Sequence, residues 1–485
     1  PTFFSETLAS GSNEDLFIYV GTDHINHADR LGMPNPFKET GLPNFSDTGF
    51  DMVYSYADNK RNNITQVISV DQNFTKIHGR HELQFGGRFR HERLHVLPDQ
   101  QQVQGQHSFA SGATALYDPG TGSAYGAVPR TGHNAANLFL GAMGSYSAQF
   151  VRKWYFMRAR EYALYLQDNF KVNSRLTLNL GLRWEFYPAM REGNNILTGF
   201  DTKSKSIING APMERMYELG ATSPVIVSQF TRIGVKFITP NQAGLPDTMM
   251  YSNARDLGPR AGFAYRMGSG KRSTVLRGGY ALYGFPIPLR TFNARMRSNA
   301  PMNARFTQSI TSAAQSPDGL PNYGLRSVPT ILAGVNSRDV LNINEPGGVT
   351  RGSFRTSYFD PSQPTTRAHE WNLTLEREVG DNVVVKAGYV GTQGTRLDQF
   401  STYNEAPNSY VWFVNTGLPL PSGEFSGVAR RNFDQVSYGD IEVYQKIGWS
   451  NYNGVQLEVQ RRYSKGYGFQ FFYVMSNAFR AAGHG

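Results

Sequence analysis

The stretch GSGKRS, Gly268 to Ser273, comes near a phosphate-binding loop, in which backbone N–H groups cradle the phosphates of a nucleotide. That loop needs a Gly five residues before Gly270, where Tyr265 stands. It also needs Ser or Thr directly after Lys271, where Arg272 stands. The stretch DHINHAD sets His24 and His27 beside Asp23 and Asp29, and imidazole and carboxylate both ligate metals. A polar loop accounts for the same letters, and no metal is expected. His91 and His95 are four apart, which on a strand leaves them on one face but about 13 Å apart, too far to share an ion. Glu376 and Glu378 are of the types that make a general acid and base, yet two residues apart on one strand face they read as a water-facing charged row. No GxSxG is present and there are no cysteines, which excludes the hydrolase nucleophile elbow, thiol chemistry and disulfide scaffolds. Arg88, Arg90, Arg183, Arg266 and Arg277 lie singly among Glu82, Glu185 and Glu376, with no basic stripe or aromatic platform, so no nucleic-acid partner is expected. No catalytic residue and no cofactor emerges.

What does emerge is the kind of element these residues occupy. In LTLNLGLRWEF, Leu176, Leu178, Leu180, Leu182, Trp184 and Phe186 alternate with Thr177, Asn179, Gly181, Arg183 and Glu185. Successive side chains of a strand point to opposite faces, so this is one strand with an apolar face and a polar face. REYALYLQDNFK precedes it across VNSR and completes a tight hairpin. Four more hairpins follow the same grammar. NITQVISVDQNFT turns at KIHGR into HELQFGGRFRHE, and PRAGFAYRM turns at GSGKR into STVLRGGYALYG. EWNLTLEREV turns at GDN into VVVKAGYVG, and YNGVQLEVQRRY turns at SKG into YGFQFFYVMS. DLFIYVGT near the start supplies an eleventh strand.

The connections between hairpins are of another order, roughly 50 to 80 residues of turn-rich sequence such as LGMPNPFKETGLPNF and DPGTGSAYGAVPRTGHN. Short turns alternating with long loops are the mark of an antiparallel transmembrane β-barrel, with short periplasmic turns and long extracellular loops. A composition of 39% hydrophobic, 13% aromatic and 50 Gly suits strands better than a large aliphatic core. No run reaches the length of a transmembrane helix, a test to which barrels are blind. The net charge of +10 fits nucleic acid, anionic lipid or basic loops, and its sign alone does not decide among them. Eleven residues tilted by about 40° rise about 27 Å, close to the ~25 Å apolar band of such barrels. One hairpin alone would equally suit a soluble sandwich or propeller; five in this alternation point to the barrel. Leu176, Leu178, Leu180 and Leu182 then face lipid, and Tyr162, Trp184, Phe186 and Tyr187 form an aromatic girdle at the interface. Arg88, Asn179, Arg183, Glu185, Glu376, Lys386, Gln456 and Glu458 line a wet lumen and meet plug or solute.

The segment YALYLQDNFKVNSRLTLNLGLRWEFYP resembles barrel strands of TonB-dependent outer-membrane transporters, in particular the Oar-like group of acidobacteria and other soil bacteria. GRHELQFGGRFRHE, LGPRAGFAYRMGSGKRSTVLRGGYALY, the stretch from FDPSQPTTRAHEWNLTLEREV to GTQGTRL, and NYNGVQLEVQRRYSKGYGFQFFYVMSNAF are similar to successive barrel segments of that group, in the same order. The likeness covers the hairpins, about a third of the chain. It implies a barrel of about 22 strands, a plug domain in the lumen and a TonB box coupling the protein to the inner-membrane energy system. It places the protein in the outer membrane of a Gram-negative bacterium. Plug, TonB box and terminal strand are not in this sequence, so residues 1–485 are expected to be part of the barrel, about 11–12 strands, cut at both ends. The expected function is uptake of a large or scarce solute. A passive porin and a β-rich surface adhesion protein are the alternatives.

Overall fold

The computed structural model describes residues 2–18, 24–31, 33, 40–50, 60–100, 106–149, 153–268, 273–297, 299–302, 305–310, 312, 314–315, 321–322, 355–362, 364–380, 382–420 and 430–481. Eleven long strands dominate it. They are β1 (Phe3–Ile18), β2 (Lys60–His78), β3 (His81–Gln100), β4 (Tyr155–Lys171), β5 (Leu176–Tyr187), β6 (Asn253–Met267), β7 (Thr274–Phe285), β8 (Thr366–Gly380), β9 (Val383–Thr402), β10 (Ile441–Ser464) and β11 (Tyr467–Arg480). Each pairs antiparallel with its neighbour in sequence, so the sheet is an uninterrupted meander. Two short segments, Arg191–Glu192 against β4 and Thr356–Phe359 against β10, bring the sheet to 13 strands. Among the described residues β1 pairs only with β2 and β11 only with β10, which leaves two long free edges.

All five expected hairpins form. A two-residue turn joins β10 and β11 through Lys465 and Gly466, at φ 54° and 90°; two successive left-handed residues match the twist of the strands they connect. Two boundaries differ from expectation. The first strand begins at Phe3, well ahead of DLFIYVGT, and Tyr19 to Thr22 lie outside the described residues. Its stretch FFSETLASGSNEDLFI has no apolar alternation, so pairing with β2, and not burial, holds it extended. The connection between β9 and β10 spans only residues 403–440, because β10 runs for 24 residues and starts at Ile441. A strand needs only about 10 residues to cross a bilayer, so β3, β9 and β10 continue well beyond it.

Those extensions carry a folded lobe built from the long connections. It holds small sheets such as Thr198–Asp201 with Ser206–Asn209 and Lys236–Ile238, and short helices such as Pro224–Arg232 and Leu289–Met296. Its two apolar clusters are the buried core of the protein. One gathers Phe109, Phe200, Ile207 and Tyr438; the other gathers Met157, Ile196, Met216, Phe292 and Tyr444. By contrast, no residue of β5 is buried.

Candidate functional site: the polar face of the sheet

Register decides which side chains share a face. Leu182 lies opposite Leu166, Leu178 opposite Phe170 and Phe263, and Leu180 opposite Ala261 and Asp168, the last a carboxylate on this face held by His81 at 2.7 Å. Leu176 pairs with Tyr265, and the same face continues through Leu373, Leu375, Val455, Leu457, Phe471 and Tyr473. Leu164, Leu166, Leu180 and Leu182 are each about half exposed or more, at 59%, 56%, 51% and 49%. Nothing among the described residues covers this apolar face, whereas a soluble sandwich would cover it with a second layer.

Along one edge of this face the aromatic side chains align. Phe89, Tyr162 and Phe186 are register partners with ring centroids 5.3 and 6.0 Å apart, and Trp184 stacks on Phe186 at 6.2 Å. Tyr187 does not join them. It is one residue past Phe186 and so takes the opposite face, where it lines a cavity with Arg90 and Glu161. Its place in the girdle is thereby corrected.

The opposite face is polar, and several of its charges are paired. Arg183 Nε donates to Glu185 Oε1 at 2.8 Å, and Arg88 Nε to Asp71 Oδ1 at 2.5 Å. Arg90 bridges Glu161 at 2.7 Å and Glu92 at 2.9 Å. Glu376, Lys386 and Glu458 are successive register partners on β8, β9 and β10. Lys386 Nζ lies 3.3 Å from Glu458 Oε2, and Gln470 donates to Glu458 Oε1 at 2.8 Å. Gln456 stands one step along, opposite Gly388. Asn179 is flanked by Asn169 and Gly262. The eight expected residues therefore fall into two groups on one face, Arg88, Asn179, Arg183 and Glu185 on β3–β5 and Glu376, Lys386, Gln456 and Glu458 on β8–β10, with β6 and β7 between them.

Glycines open space along this face. Gly181, Gly262 and Gly279 leave a 220 Å³ hollow bounded by Gln167, Asn179, Arg260, Tyr283, Glu370 and Asn372. A second cavity of 340 Å³ lies where the lobe meets the sheet, lined by Arg90, Glu92, Glu161, Tyr187, Met250 and Tyr251. Fixed donors and acceptors around open space can hydrogen-bond a polar solute or a covering domain. These partly exposed pairs contribute little to stability, about 0–1 kcal/mol each.

Sequence reading missed the partners Asp71 and Glu161. Each is legible only through pairing: alternation places Arg88, Arg90 and Glu92 on one face, but which carboxylate comes opposite depends on register. It also missed Lys446, whose ammonium is buried against Asp398 at 2.7 Å and Thr366 at 2.7 Å. Of the motifs weighed first, Ser269 to Arg272 and Asp23 lie outside the described residues. Asp29 is occupied with Asn26, which it accepts from at 2.6 Å. Among the described residues no group of three or more metal-ligating side chains comes together.

A long antiparallel meander, apolar and uncovered on one face and charged on the other, defines a membrane β-barrel sheet. The chain belongs to the outer membrane beta-barrel domain family, whose model matches residues 9–484. The protein is thus an outer-membrane protein. No curated protein matches the chain. Among solved structures it is similar to the outer membrane transporter YddB of Escherichia coli, at 9% identity and a TM-score of 0.41, covering 86% of this chain and 34% of that one. It is also similar to the ferripyoverdine receptor of Pseudomonas aeruginosa (10%, TM-score 0.36, 88% and 34%) and to the copper transporter OprC (8%, 0.37, 87% and 38%). The chain spans about a third of the length of these proteins.

Proposed function

We propose that this chain is part of the barrel of a TonB-dependent outer-membrane transporter of the Oar-like kind, taking up a large or scarce solute. The observation that carries the reading is the charged polar face beneath a folded lobe: a sheet with lipid on one side and fixed, paired charges on the other is built to enclose something polar. In this reading Leu176, Leu178, Leu180 and Leu182 meet lipid, with Tyr162, Trp184 and Phe186 at the interface. Arg88, Asn179, Arg183, Glu185, Glu376, Lys386, Gln456 and Glu458 meet plug or solute. The free edges of β1 and β11 support further strands closing the barrel, since long unpaired edges invite pairing. The long lobe supports capture of a solute before it enters the lumen, and the resemblance of the hairpins supports energy coupling through TonB.

The test is single-channel recording of the full-length protein in a planar bilayer. A plugged transporter gives closed traces that open only when the plug is removed. Steady open conductance from the intact protein would make it a passive porin instead.

A further inference from the structure

Just beyond the aromatic row, the outward face changes character. Going away from the tight turns by one step on the same face, His91 lies opposite Arg160. One step further, Arg93 lies opposite Arg158, and Arg158 opposite Arg191 of the short strand Arg191–Glu192. Three arginines from three adjacent strands thus stand in one row about 10 Å wide, with Arg160 and His91 on the side of the rings and His95 beyond. All four arginines are exposed. Arg93 Nε donates to His91 Nε2 at 3.1 Å, and none of the four makes a salt bridge among the described residues. Several other cations of the sheet have partners. Arg88, Arg90, Arg183 and Lys386 pair with carboxylates on the polar face, and Arg80 and Arg266 donate to the turn carbonyls of Val172 and Ser174. Among the described side chains, Asp15 is an outward carboxylate of this part of the sheet, two strands away on β1 and bonded to Asn13.

We propose that this outward cluster is a binding site for the phosphate groups of anionic lipid in the outer leaflet. Depth argues for it: His91 and Arg160 stand one strand step past the aromatic row and the arginine row two steps past it, about 5 and 10 Å of depth on strands tilted by about 40°, and long arginine side chains span the difference to headgroups that occupy roughly the 5–8 Å outside the hydrocarbon. Charge argues for it as well, because a row of guanidinium groups with no acidic partner matches phosphate, which arginine can grip with two N–H donors at once. Space is available beside it. A hollow of 330 Å³ opens against His91 and Arg93, walled by Asn13, Gln66 and Ile68, with nothing within 4 Å of where a side chain on Gly11 would begin. The crowding of positive charge also shows in the imidazole of His95, which lies beyond the membrane-spanning part of β3: partial burial first, and then Arg93 and Arg158, hold it below its ordinary pKa. On the other face of these same strands Leu94, Val96, Tyr155 and Met157 are buried in the lobe core, which fixes the backbone that presents the arginines.

The test uses the full-length protein in phosphatidylcholine nanodiscs containing a minor fraction of lipid A, either phosphorylated or enzymatically dephosphorylated, and measures the lipid retained after dilution. The expected result is a preference of about tenfold for the phosphorylated form, since each arginine near an anionic surface counts for about fivefold and screening removes part of it. The R93Q/R158Q/R160Q/R191Q variant loses that preference, while Arg88→Gln on the polar face keeps it. Equal retention of both lipids by the unaltered protein overturns the proposal, and that comparison stands even where the fourfold variant does not fold. A variant that retains the preference overturns it too, as does displacement by millimolar inorganic phosphate, which would mark a site for free phosphate instead of lipid.

Discussion

Leu180 and Asn179 are adjacent in the chain and stand on opposite faces of β5, so one substitution at each asks which face meets hydrocarbon. Leu180→Arg puts a guanidinium into lipid near mid-depth and is expected to cost about 2–4 kcal/mol. Asn179→Arg places the same group on the polar face beside the 220 Å³ hollow and is expected to be nearly neutral. Urea titration of the folded protein in detergent or lipid reads both. Equal effects would mean that the two faces are not distinguished by lipid. The alternation that separates these residues was fully legible in the sequence, because period two needs no partner to be read. Tyr187 shows the limit of reading by composition: an aromatic run, Trp184 to Tyr187, looks like one cluster but splits between faces.

Hairpins were the most legible elements, since each carries two alternating segments and a short turn within one stretch of sequence. The first strand and the start of β10 were hidden because their residues do not alternate; neighbouring strands, and the lobe over the ladder's far end, extend them. The lobe itself was illegible for the same reason that it folds. Its clusters join residues far apart in the chain, as where Phe292 packs with Met157, Ile196 and Phe359, and no local period records such contacts. Phe292 is fully buried, so Phe292→Ala should cost the lobe about 3–5 kcal/mol. The expected outcome is that external protease cuts the connecting segments of the variant while the sheet keeps its resistance to dissociation by detergent on unheated gels. Loss of both together would mean that lobe and sheet fold as one unit.

At the scale of the whole molecule, the pattern of a soluble protein is inverted. The sheet exposes its leucines and carries paired charges on the other face, and the buried core sits where the long connections pack against the strand extensions. Residues 1–485 hold no cysteine, so single cysteines can be placed one at a time from Leu176 to Phe186 without removing a thiol from this segment. The full-length protein in outer-membrane vesicles would be treated with a membrane-impermeant thiol reagent. The account predicts a period of two, with label at Asn179, Gly181 and Arg183 and protection at Leu178, Leu180 and Leu182. Uniform labelling, or label on the leucine positions, would contradict it.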